Sequence, residues 1–137
     1  MSRKKKTPVS HTYDKQNFNP PAPVMKVSLS IPSIQPQLES VILKSSALLD
    51  SGADVTVIPE QIVQQLQLKY VDEIMASGYD GVSKQTFVYS VKLIFDGLGD
   101  FIVRAIASNN DHVLVGRDIL NKWSLLLKGR NKIFEIS

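Results

Sequence analysis

The apolar and polar residues of this chain alternate mainly with a period of two, which is typical of β-strands that bury one face. Residues 25–31 alternate in this way, and residues 41–49 form a second, mostly apolar run. Residues 87–95 alternate over a longer stretch, and residues 101–107 follow them after the glycine-containing segment 96–100. The pattern predicts a mostly β fold in which residues 96–100 form a hairpin turn.

Two short segments have the character of helices instead. Pro59 stands where a helix can begin, because a proline at the first helical position loses no hydrogen bond. Glu60 follows it, and the apolar residues at 62, 63 and 66 would share one face, so a short helix is predicted over 59–66. Residues 117–123 follow a glycine and predict a second short helix near the C-terminal end of the sequence.

Residues 1–23 differ in composition from the rest of the chain. They contain four basic residues at positions 3–6 and a proline-rich segment at 19–23. Proline removes backbone donors and stiffens the chain, so these residues predict a disordered basic tail, followed by a folded domain at 24–137. Of the 16 basic and 13 acidic side chains, five basic and one acidic lie in the first fifteen residues, which leaves 11 and 12. Because the remainder is nearly balanced, we expect no nucleic acid on the folded domain.

Composition excludes several kinds of site. The sequence has no cysteine, which excludes a disulfide framework, a thiol nucleophile and thiolate-bound metals. Its two histidines, His11 and His112, lack the spacing of zinc ligands, so we expect neither a metal nor another cofactor. No segment is long and apolar enough to span a bilayer, and no hydrophobic stretch follows the basic start. We therefore expect a cytoplasmic protein without a membrane partner.

One aspartate stands out from this β pattern. The apolar run at 41–49 ends in Asp50, the turn residues Ser51 and Gly52 follow, and a second apolar run begins at 55. An aspartate inside an apolar frame is costly to bury and needs a partner or a function. Followed by Ala53-Asp54, this Asp-Ser-Gly segment resembles the active-site motif of the retropepsins, the retroviral-type aspartic proteases. The alternative is a hydrogen-bonded aspartate at an ordinary strand-to-turn junction.

The resemblance implies a dimer. Aspartic proteases activate water between two carboxylates, and this sequence has only one Asp-Ser-Gly motif. A two-fold symmetric homodimer would place Asp50 opposite its own copy. Ser51 would then hold the partner's loop through its hydroxyl group, and Gly52 would allow close backbone approach beside the carboxylate.

A second segment strengthens the resemblance. Residues 113–120 contain an apolar strand, a glycine and then Arg117-Asp118, as in the element that lies beneath the catalytic loop of retropepsins. The resemblance implies that Arg117 pairs with Asp54 and supports the loop without a chemical role. The alternative is that Arg117 is a surface cation and Asp118 only caps a helix.

Residues 76–83 are a candidate flap, a hairpin that closes over the substrate. Two glycines, Gly78 and Gly81, surround Tyr79 in this segment. A glycine-rich tip suits a loop that opens to admit a peptide, but it suits an ordinary hairpin turn equally well. The resemblance assigns Gly78, Tyr79 and Gly81 to substrate binding, together with Ala53 and Asp54.

The resemblance covers about residues 24–136. Its pattern is closest to that of cellular and bacterial retropepsins, because of the helix at 59–66. It implies a closed, mostly antiparallel β-barrel-like acid protease fold with a short C-terminal helix and one extra short helix, functional as a homodimer. The implied activity is that of an aspartic endopeptidase on peptides or proteins bound in an extended form. Two alternatives stay open: a retropepsin-like dimerisation or peptide-binding module with little or no proteolysis, and a protease module excised from a longer polyprotein.

Overall fold

Ten β-strands and two short helices make up the part of the chain that the computed structural model describes, residues 7–32, 41–77 and 81–137. The strands and helices, in chain order, are β1 (Val9–Thr12), β2 (Val24–Ser30), β3 (Leu43–Leu49), β4 (Val57–Pro59), α1 (Glu60–Leu66), β5 (Tyr70–Ser77), β6 (Ser83–Phe95), β7 (Gly99–Ser108), β8 (Val113–Val115), α2 (Arg117–Leu120), β9 (Leu125–Lys128) and β10 (Ile133–Ile136).

Six of the strands close into a barrel. Their order is β2-β3-β8-β4-β7-β6, and the ring closes because β2 also pairs with β6. Most neighbours are antiparallel, while the β3–β8 and β4–β7 pairs are parallel. β5 lies outside the ring and forms an antiparallel hairpin with β6, which follows it in the chain. The predicted closed, mostly β fold with two short helices is therefore confirmed.

The barrel interior holds the apolar core that the alternation predicts. Along β6, Val91, Leu93 and Phe95 are fully buried, whereas Phe87, which belongs to the same alternating series, is 44% exposed on the hairpin with β5. Trp123 is half-buried and packs edge-on against Phe95, with ring centroids 4.8 Å apart. The fully buried side chains continue this core across the other barrel strands and into α2: Val27, Leu29, Ile58, Val113 and Val115 are the larger members on the strands, and Ile119 is the one from α2.

α1 forms where the sequence predicts it, but it begins one residue later. Pro59 has extended backbone angles (φ −60°, ψ 135°), so it is the residue before the helix, and Glu60 is the first helical residue. The helix ends at Leu66, and the next residue, Gln67, has a positive φ of 52° that turns the chain away. Its buried face consists of Ile62, Val63 and Leu66, as predicted.

A second sheet of three strands, in the order β1-β10-β9, joins the two ends of the described chain. Val9 pairs with Ile136 and Thr12 with Ile133, so β10 packs within its own chain. The ring of His11 stacks on Phe134 at 5.0 Å. The prediction of a disordered tail is wrong for this strand, because its backbone pairs with β10 and the ring of His11 stacks on Phe134.

Neither helix among the described residues is long and apolar enough to cross a membrane.

Candidate active site

Asp50 lies at the end of β3, where that strand runs parallel to β8. The backbone N–H of Asp50 donates to the carbonyl oxygen of Val115 at 3.0 Å, which continues the Leu49–Val115 pairing by one residue. Asp50 is half-buried, while the next residues, Ser51 and Gly52, are exposed. The barrel thus fixes the backbone of the aspartate, and its side chain emerges at the start of an exposed turn.

The turn itself orients the carboxylate. The N–H of Gly52 donates to Oδ1 of Asp50 at 2.9 Å, and the N–H of Ala53 donates to the carbonyl oxygen of Asp50 at 3.2 Å. A Cβ atom at position 52 would lie only 3.1 Å from the same Oδ1, so glycine gives the carboxylate room. One oxygen of Asp50 is therefore held by its own loop.

Gly116 supports the loop from beneath. A Cβ atom at this position would lie 2.6 Å from the carbonyl carbon and oxygen of Val55, so no larger residue fits without moving the backbone. Next to it, the N–H of Arg117 donates to the carbonyl oxygen of Ala53 at 2.9 Å. The junction between β8 and α2 and the loop after Asp50 are thus packed backbone to backbone.

The structure brings Arg117 and Asp54 together. Nη2 of Arg117 forms an ion pair with Oδ1 of Asp54, and Nη1 donates to the carbonyl oxygen of Ser51 at 2.6 Å. The Asp54 side chain is 83% exposed and the Arg117 side chain 44%, so water screens the pair. Its geometry links both sides of the turn, which suits a supporting role for Arg117.

Sequence analysis missed the partner of Asp118. It assigned this residue only to a helix cap, whereas both carboxylate oxygens accept hydrogen bonds from Thr56, which is fully buried. The two residues are 62 positions apart, so no local pattern could indicate the contact.

The remaining predicted substrate-binding residues are spread over two places. Ala53 is half-buried in the loop beside Asp50, and exposed Gly81 precedes β6 with a positive φ of 73°. Gly78 and Tyr79 lie outside the described residues. A proposed flap at 76–83 therefore coincides with the β5–β6 hairpin, whose strands the structure describes on both sides.

The sequence model of the family called retroviral aspartyl protease matches residues 19–128, which include Asp50, Thr56 and Arg117. The chain belongs to the retroviral aspartyl protease family. This match confirms the family that the Asp-Ser-Gly and Gly-Arg-Asp segments indicated, and with it the retropepsin-like fold. None of the curated proteins matches the chain significantly.

Solved structures of proteases from viruses and a bacterium share the fold. The chain is similar to a retropepsin-like aspartic protease from Rickettsia conorii (TM-score 0.55, 10% identity, 98% of this chain and 96% of that one). It is also similar to EIAV protease complexed with an inhibitor (TM-score 0.54, 21% identity, 81% and 92%). A third similar structure is the foamy viral protease-reverse transcriptase with an RNA/DNA hybrid (TM-score 0.53, 16% identity, 74% and 12%).

Proposed function

We propose that the protein is an aspartic endopeptidase whose active site forms when two copies bring their Asp50 residues together. The main support for the proposal is the carboxylate of Asp50, which the N–H of Gly52 orients through a hydrogen bond. This carboxylate belongs to a chain of an aspartic protease family. The sequence offers no second Asp-Ser-Gly segment, so one chain supplies one half of the catalytic pair.

The chemistry follows from two facing carboxylates. At about 4 Å, two like charges repel by roughly 4 kcal/mol at an effective dielectric constant near 20, so the pair holds one proton between its members. The ionised Asp50 takes a proton from water, and the water oxygen attacks the scissile carbonyl carbon. The protonated Asp50 of the other copy donates to the carbonyl oxygen. Collapse of the tetrahedral intermediate breaks the C–N bond: the leaving nitrogen takes the proton that the first Asp50 removed from water, and the second Asp50 regains a proton from a hydroxyl group of the intermediate.

The two copies are proposed to meet at the three-stranded sheet. β9 is an edge strand of this sheet, and two of its side chains, Leu126 and Leu127, are each 52% exposed. An apolar edge strand readily pairs with another chain. A second copy that adds at β9 would cover both leucines and satisfy the outer backbone groups of the strand.

The substrate is proposed to be a peptide in an extended form, held between the Asp50 loop and the β5–β6 hairpin. This hairpin carries exposed apolar side chains, among them Ile74, Met75 and Phe87. Such side chains favour substrates with large apolar residues near the cleaved bond. The residues proposed to contact the substrate are Ala53, Asp54, Gly78, Tyr79 and Gly81. The protein is proposed to work in the cytoplasm.

The experiment is cleavage of casein across pH 4–7 by the wild type and by Asp50→Asn, with and without pepstatin. Asp96→Asn is the matched control, because Asp96 is exposed in the turn between β6 and β7. We expect Asp50→Asn alone to abolish cleavage while its circular dichroism spectrum is unchanged. Retained cleavage by Asp50→Asn would contradict the proposal, and a well-folded wild-type dimer that cleaves nothing would favour a binding module.

A mixing experiment tests the shared site. Wild type and Asp50→Asn are combined in equal amounts and allowed to exchange subunits at a constant total concentration. If each site needs one Asp50 from each copy, only wild-type dimers cleave, and activity falls to roughly a quarter of that of wild type alone. A fall to only about half would show that each chain acts independently.

A further inference from the structure

We propose that Asp118 is a positioning residue for the catalytic loop and acts on it through the hydroxyl group of Thr56. The inference rests on the proposed function and assigns a role to a pair of residues outside the Asp-Ser-Gly turn. Hydrogen bonds that run from α2 to the loop support this role.

The first link joins Asp118 to Thr56. Oγ1 of Thr56 donates to Oδ1 of Asp118 at 2.8 Å, and the backbone N–H of Thr56 donates to Oδ2 at 3.1 Å. Oδ1 also accepts from the N–H of Ile119 at 3.0 Å. The carboxylate thus fixes both the backbone and the side chain of a residue that is fully buried. Hydrogen bonds to a charged group are about twice as strong as neutral ones.

The second link joins Thr56 to Gly116. The N–H of Gly116 donates to Oγ1 of Thr56 at 3.3 Å in buried surroundings. Because the hydroxyl group of Thr56 donates its hydrogen bond to Oδ1 of Asp118, the lone pairs of Oγ1 are left to accept from Gly116. Without the carboxylate, the hydroxyl group would be free to rotate, and the orientation of the acceptor would be lost.

The third link reaches the loop. Gly116 packs against the backbone of Val55, and its neighbour Val115 accepts the N–H of Asp50. On its other side, Arg117 donates its N–H to Ala53. A shift of Gly116 would therefore move Val115 and Arg117, which are the backbone partners of Asp50 and Ala53.

This network differs in kind from the ion pair of Arg117 with Asp54. That pair is exposed, and exposed ion pairs contribute little to stability. In the Asp118–Thr56–Gly116 chain, Thr56 and Gly116 are buried and Asp118 is half-buried, so a lost partner leaves a buried polar group of Thr56 or Gly116 unsatisfied. Catalytic groups must hold their geometry within about 0.5 Å, and in a symmetric dimer any displacement occurs in both copies.

The test compares Thr56→Val with Thr56→Ser. Valine has the shape of threonine without the hydroxyl group, whereas serine keeps the hydroxyl group. We expect Thr56→Val to lower kcat per folded dimer by roughly ten- to a hundred-fold, with KM changed by less than about twofold. Thr56→Ser should stay close to wild type. The pH profile of kcat/KM should also change shape in Thr56→Val, because its limbs report the paired carboxylates.

A second measurement does not depend on proteolysis. Hydrogen exchange at the amides of Asp50 and Gly52 should be faster in Thr56→Val than in Thr56→Ser, since the loop is less well held. If Thr56→Val does not fold, Asp118→Asn takes its place. Asparagine keeps one acceptor oxygen but turns an N–H₂ group toward a donor of Thr56, and we expect the same changes in kcat and exchange.

The outcomes are distinct. If Thr56→Val lowers only the unfolding midpoint, with kcat per folded dimer, pH profile and amide exchange unchanged, the pair is merely structural and the inference is overturned. If wild type and Asp50→Asn are both inactive, the proposed function fails. In that case, unchanged exchange at Asp50 and Gly52 would overturn the positioning role as well, and faster exchange would support it.

Discussion

Arg117 donates to the carbonyl oxygen of Ser51 at 2.6 Å while the same guanidinium group pairs with the carboxylate of Asp54. One planar group thereby joins the residue after Asp50 to a residue farther along the loop. A guanidinium group can do this because its donors are fixed in a fork, whereas a lysine ammonium group is a single point of charge.

We therefore expect Arg117→Lys to lower kcat/KM by about tenfold, although it preserves the charge. The free energy of unfolding should fall by no more than about 1 kcal/mol, because the pair is exposed. Arg104→Lys is the matched control, since Arg104 also pairs with an aspartate, Asp72 at 2.9 Å, on an exposed surface. Equal kinetics of Arg117→Lys and the control would show that the fork is not needed.

Gly116→Ala should destabilise the fold. The new Cβ atom would lie 2.6 Å from the backbone of Val55, so the loop or β8 must shift, at a cost of about 1–3 kcal/mol. Urea unfolding at a fixed protein concentration measures the change. Gly129→Ala is the control, because its Cβ atom would meet nothing closer than the Tyr13 hydroxyl at 3.9 Å. Equal midpoints for the two variants would contradict the close packing of Gly116.

Leu126→Asp should weaken the proposed dimer. A charge on the β9 edge would have to be desolvated when a second copy adds there, and we expect the dissociation constant to rise at least about tenfold. Sedimentation equilibrium measures this constant, and activity should recover at high protein concentration. Val41→Asp provides the comparison, because Val41 is 62% exposed and lies outside β9. A larger effect of Val41→Asp would place the dimer contact elsewhere.

The carboxyl group of Asp111 should titrate below its ordinary range. A hydrogen bond from His112, and then the charge of its ring, hold the pKa of Asp111 below the ordinary 3.8. A lowered pKa favours the folded state above pH 3.8, and this contribution is lost as the pH falls through the folded value. NMR titration should show the midpoint moving up toward 3.8 in His112→Gln.

Asp14 serves as the internal reference for that titration. Hydrogen bonds from the side chain and backbone of Asn17 lower its pKa, and His112 is not among the causes. The midpoint of Asp14 should therefore stay where it is in His112→Gln. If both midpoints moved together, the substitution would have changed the fold rather than a single contact.

The barrel and the turn after β3 could be predicted because their signals are local. Alternation over residues 25–31 and 87–95 marks half-buried strands, and Asp50-Ser51-Gly52 is a contiguous motif. Helix α1 was predicted as well, although its first residue was displaced by one, which is the usual uncertainty of a helix boundary.

What could not be predicted depends on distant pairs. The Thr56–Asp118 contact joins residues far apart in sequence, and neither residue alone indicates a partner. β1 was predicted as part of a disordered tail for the same reason. Val9–Thr12 belongs to a polar segment of the sequence and becomes a strand only because β10 supplies backbone groups and the ring of Phe134. Local composition indicated disorder there, and tertiary pairing overrode it.

The pairing of Val9 with Ile136 also sets an order of events during synthesis. A ribosome that adds about 5–20 residues per second releases β1 on the order of ten seconds before its partner β10. The barrel strands β2 and β3 can meet early, whereas the sheet that carries β9 can be completed only after β10 has emerged. If the proposed dimer forms through this sheet, its shared active site would assemble only after β10 has left the ribosome.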